Sequence, residues 1–103
     1  MTDQECFELI NCATSATQRL YVNRRRWRLL LALVRQGYLV PLKERDNPAY
    51  DPSLLSALED GTMLVLTDEA KAYILALNPA DFEAITWFSR SQDVISAQKR
   101  LRE

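Results

Sequence analysis

A chain of 103 residues, 48% apolar and 26% charged, has the size and composition of one packed domain, which excludes disorder over most of its length. No apolar run approaches the ~20 residues that a membrane-spanning helix needs, the longest being Leu29 to Val34. The net charge of −1 conceals two opposed blocks: Arg19 to Arg45 holds eight basic residues against Glu44 alone, a net of +7, whereas nine acids from Asp46 to Asp93 face only Lys71 and Arg90, a net of −7. That division predicts a polarised surface with one anion-attracting side.

Thr2 followed by Glu5 has the form of a capping box, and Cys6, Leu9, Ile10, Ala13, Ala16 and Leu20 continue at helical spacing, so a first helix starts near Asp3. The polar, β-branched stretch from Ala13 to Thr17 predicts a turn, after which helix resumes through Gln18 to Val22. The first residues are acidic where an export signal is basic and then apolar, and a cytoplasmic location is expected. Cys6 and Cys12 lie six positions apart, which turns them roughly 240° from one another on a helix. They are expected as reduced core residues.

Asn23 is the expected cap of a second helix, which carries Trp27, Leu30, Leu31 and Val34 on one stripe and stops at Gly37. Tyr38 to Lys43 reads as a short strand that Pro41 confines to an edge. Asp51 as cap, Pro52 at the first helical position and Gly61 as stop enclose a short helix over Ser53 to Leu58. Met63 to Leu66 reads as a second, buried strand, and Thr67 caps a helix through Leu77 with Asp68 and Glu69 in its first turn. Asn78 and Pro79 begin a last helix to the C-terminus, about 35 Å long if its ~23 residues are continuous. The expected fold is mostly α with a small two-stranded β wing and a long C-terminal helix. It forms one domain over residues 1–103, with a core at 1–77 and a dimerising helix at 78–103.

Histidine is absent, which removes the usual general base and the commonest zinc ligand, and two glycines cannot build a phosphate loop. Neither catalysis nor a metal or cofactor is expected. The unusual feature is Arg24-Arg25-Arg26-Trp27-Arg28, because positive charge at a helix N-terminus opposes the dipole and adjacent arginines repel one another. An anion docking there would meet free backbone N–H groups and guanidinium forks. Candidate nucleic-acid or anion-binding residues are therefore Arg19, Arg24, Arg25, Arg26, Arg28 and Lys43. The competing reading is a solvated basic face, or local ion pairs with the acidic half. Trp27 is expected in the core, whereas Tyr21 is open between stacking on a base and packing beneath the helix.

From Asn23 to Leu77 the order of signals resembles the winged-helix DNA-binding regulators, especially the MarR-like and PadR-like groups. The matching stretches are Leu33-Val34-Arg35-Gln36-Gly37-Tyr38-Leu39-Val40 and Leu64-Val65-Leu66-Thr67-Asp68-Glu69-Ala70-Lys71-Ala72-Tyr73. The resemblance implies that the helix ending at Gly37 is a recognition helix for the major groove, with Arg24, Arg25, Arg26 and Arg28 at its start. Four features depart from the pattern: Ala70 stands where glycine is favoured, the wing is interrupted by Asp51 to Gly61, read as helical, the wing region carries Asp46, Asp51, Glu59 and Asp60, and only 22 residues precede Asn23.

Trp87, Val94 and Leu101 recur every seven residues, with Phe88 and Ile95 beside them, enough for a homodimer seam or for packing on the chain's own core. The leading expectation is a dimeric, winged-helix transcriptional regulator whose partner is duplex DNA. The alternative is a winged-helix-like adaptor or inhibitor with a protein partner, virus- or plasmid-encoded, using the basic helix or the acidic region 46–93 as its contact surface.

Overall fold

The computed structural model describes residues 1–82 and 90–103. At its start the capping box forms as expected: the Glu5 N–H donates to Thr2 Oγ1 at 3.1 Å, and the Thr2 N–H donates to Glu5 Oε1 at 3.2 Å. Two donors of the first turn are thereby satisfied, and helix α1 runs Asp3–Thr14. It stops where the polar stretch predicts a turn, because the Thr14 and Ser15 hydroxyls donate back to the carbonyls of Ile10 and Cys12.

Beyond that turn the chain resumes as a strand, correcting the expected helix over Gln18 to Val22. Strand β1 is Arg19–Tyr21, β2 is Leu39–Pro41 and β3 is Met63–Leu66. They form a three-stranded antiparallel sheet in the order β1-β3-β2, larger than the two-stranded wing expected. Leu20 lies opposite Leu64, and Leu39 opposite Leu66, so one face of the sheet points at the core. A three-residue strand shows too little alternation to be told from helix, and its partner lies far along the chain.

Helix α2 spans Trp27–Arg35 and ends in a Schellman arrangement: the Gly37 N–H reaches the Val34 carbonyl and the Tyr38 N–H reaches that of Leu33. Gly37 takes φ +84°, a left-handed conformation that suits glycine. Its carbonyl accepts a 2.6 Å bond from Thr67 Oγ1, and the same oxygen accepts the Ala70 N–H at the start of helix α3, Asp68–Ala76. One threonine thus joins the end of α2 to the start of α3, and the Tyr38 and Tyr73 rings meet across the joint with centroids 5.6 Å apart.

The expected helix over Ser53 to Leu58 is also corrected. Asp51 does cap the turn, accepting the Ser53 N–H at 3.0 Å, but only a 3-10 turn at Pro52–Leu54 follows. Leu55 and Leu58 instead pack singly against the core, which satisfies them without a helix too short to support itself. Where one long terminal helix was expected there is a 3-10 turn at Pro79–Phe82 and helix α4 at Arg90–Arg102, the intervening residues lying outside those described.

α1 is the hub, packing on α2, α3, α4 and β3. Leu9, Cys12 and Ala13 of α1 meet Leu30, Leu33 and Val34 of α2, Ile74 of α3, and Val94 and Ala97 of α4, all buried. Val94 is therefore not available to a partner, and Leu101 also packs on the chain's own core, whereas Ile95 is exposed. Trp87 and Phe88 of the expected dimer seam lie outside the described residues. Buried Gln98 donates to the carbonyls of Ile74 and Leu77 at 3.0 and 2.8 Å, and Arg100 donates to those of Ser15 and Ala16 at 3.0 and 3.3 Å. α4 thereby satisfies the carbonyl ends of both α3 and α1. Among the described residues no helix is long and apolar enough to cross a membrane.

Both cysteines are buried and unbridged. Burial, followed by the charge of Glu8, pushes the Cys12 thiol up to about 12, and burial raises Cys6 as well. Neither thiol is expected to react with an aromatic disulfide reagent at about pH 8 while the chain is folded, and both react once it is unfolded. Rapid labelling of the native protein would contradict this packing.

Glu5 is buried and accepts a bond from Gln36, which, ahead of the bonds from Thr2, holds its carboxyl below its ordinary value of 4.5. A lowered folded value means that Glu5 stabilises the fold above its unfolded pKa and loses that contribution as pH falls through the folded one. Stability of the native chain relative to Glu5→Gln is therefore expected to shrink between about pH 5 and pH 3 in urea titrations. A gap independent of pH over that interval would contradict the assignment.

Candidate nucleic-acid interface

The arginine segment begins at Asn23, whose Oδ1 accepts the N–H groups of Arg25 and Arg26 at 3.0 and 3.1 Å. Asn23 thus caps a turn over residues 24–26, and the regular helix begins one turn later than expected, at Trp27. The first turn of α2 contains no acidic residue, and Arg26 in the cap position makes no side-chain bond to it. The helix therefore leaves the positive end of its dipole uncompensated from within.

The four arginines, alike in the sequence, have four different environments. Arg26 turns inward: its Nη1 lies 2.8 Å from Glu8 Oε2, with the two side chains 32% and 8% exposed. It is a structural cation that joins α1 to the start of α2. Arg24 is 93% exposed, and its Nε lies 3.5 Å from Asp60, itself 55% exposed, a contact that water and salt weaken. The Arg28 guanidinium sits 5.2 Å from the Trp27 ring centroid, a cation–π contact, and the residue is exposed. Arg25 is exposed and, among the described residues, has no carboxylate partner.

Trp27 itself is half-buried and packs against the core. Arg19 and Tyr21 point outward from β1, the strand that leads into the arginine turn, and Tyr21 is 53% exposed. Lys43 does not join this group: it borders an open groove shared with Glu44, Asp51 and Glu59. Two further arginines belong beside the expected set. Arg35 is exposed seven residues beyond Arg28, which places the two on one side of α2, about 10.5 Å apart along its axis. The spacing was visible in the sequence. Arg90, at the start of α4, lines a cleft with Arg25 and Arg26, and its buried Nε has no acceptor among the described residues. Only the tertiary fold brings it there.

Comparison with protein-family models, with curated proteins and with solved structures returns no match for this chain.

Proposed function

We propose that the chain binds duplex DNA through the exposed arginine face of α2, in the manner of a winged-helix regulator. The observation that carries this reading is the set Arg25, Arg28 and Arg35: exposed on the turn and helix of one element, without an acid on α2 and without carboxylate partners among the described residues. A guanidinium group on the turn before α2 and two along one side of the helix suit the phosphates that flank a major groove, and a groove admits a helix of this kind. The arrangement of a helix between β1 and β2, and of β2 paired with β3 across a long loop, is compatible with a winged helix that lacks one supporting helix. Association with random duplex DNA, followed by fluorescence anisotropy, should weaken steeply between about 50 and 200 mM salt, with a log–log slope near −3 per chain. Absence of binding at the lower salt would end this reading.

A second reading has its own support. The loop between β2 and β3 carries Glu44, Asp46, Asp51, Glu59 and Asp60, and Leu54 within it is 81% exposed. Acid around a bare leucine repels phosphate and suits a protein surface instead.

A further inference from the structure

The chain carries both halves of a complementary contact. One half is a knob: Leu54, the most exposed large apolar residue described, on the rim of a groove that Glu44, Asp51 and Glu59 also line. The other half is a socket, an open cleft of about 450 Å³ between α1 and the start of α2. Phe7 and Leu29 supply its apolar surface, and Arg25 and Arg90, neither in an ion pair among the described residues, its cations. The Glu8 carboxylate in this cleft is already engaged by Arg26, which leaves Asp3 as the opposing charge.

The two halves are separate on one molecule. The groove beside Leu54 and the cleft beside Arg25 have no lining residue in common, and Leu54 is 81% exposed, so the knob is not seated in the socket of its own molecule. We infer that the acidic Leu54 knob of one copy docks in the Arg25–Arg90 socket of another, a head-to-tail contact between unlike surfaces. An apolar side chain covered by an apolar floor, with Glu44, Asp51 and Glu59 outnumbering Lys43 on one side and Arg25 and Arg90 outnumbering Asp3 on the other, is complementary in polarity and charge. Such a contact buries a small area, so the association is weak and sensitive to salt. It also occupies Arg25, and a molecule whose socket is filled presents one cation fewer to phosphate.

Sedimentation equilibrium without nucleic acid tests this inference separately from the DNA-binding reading. In low salt the average mass should rise above the 11.9 kDa of one chain as the concentration approaches about millimolar, and fall back as salt is added. Leu54→Asp, which removes the knob, and Arg25→Glu, which reverses the socket, should each remain single chains. Both positions are exposed, and circular dichroism would verify their folding. An equimolar mixture of the two variants should form a two-chain complex, since one keeps an intact socket and the other an intact knob. A single-chain mass for the native protein throughout, self-association of either variant at the native level, or a mixture that stays monomeric overturns the inference.

Discussion

Arg26→Ala is expected to destabilise the fold by about 3 kcal/mol, a large fraction of the ~5–15 kcal/mol by which small domains are stable. The loss comes less from the missing arginine than from what it leaves behind. Glu8 is 8% exposed, and without the guanidinium 2.8 Å away its carboxyl group would be left without that partner inside the α1–α2 junction. Removing both charges is a different experiment. Glu8→Leu combined with Arg26→Leu is expected to recover most of the loss, because a buried ion pair gives little net stability over apolar packing. Urea unfolding with an unchanged m-value would measure both. An Arg26→Ala chain within about 0.5 kcal/mol of the native one would mean that the pair does not form in solution.

The second large effect concerns affinity. Replacing Arg25, Arg28 and Arg35 together by alanine is expected to weaken duplex DNA binding at least about a hundredfold at low salt, and to flatten the salt dependence nearly to zero. Each side chain is exposed, so the variant should fold like the native chain. Asp60→Asn is expected to act in the opposite direction by about twofold, since it frees Arg24 from its one carboxylate contact among the described residues. A triple variant that retains native affinity and salt slope would remove α2 from the interface.

How much of this was legible in the sequence depended on how far apart the cooperating residues lie. The capping box at Thr2 and Glu5, the stop at Gly37 and the cap at Thr67 are written within a few residues and stand in the structure as the sequence implies. β1 was not legible, because Leu20 becomes a strand residue only through Leu64. The stretch from Asp51 to Gly61 shows local signals overruled: cap, proline and glycine all favour a helix, yet Leu55 and Leu58 gain more by reaching the core. Arg26 is indistinguishable from its neighbours until Glu8, eighteen positions earlier, is seen beside it. The heptad through Val94 and Leu101 reads equally as a seam or as core, and Gln98 on the same helix donates to the carbonyls at the end of α3.

The fastening of two helix ends by α4 also bears on which parts of the fold loosen together. Carbonyls at and just beyond the end of α1 accept from Arg100, and those ending α3 accept from Gln98. A chain in which α4 has come undocked would hold its elements in outline with their tips unsealed. Replacing Gln98 and Arg100 by alanine should therefore speed hydrogen exchange in α1 and α3 as well as in α4.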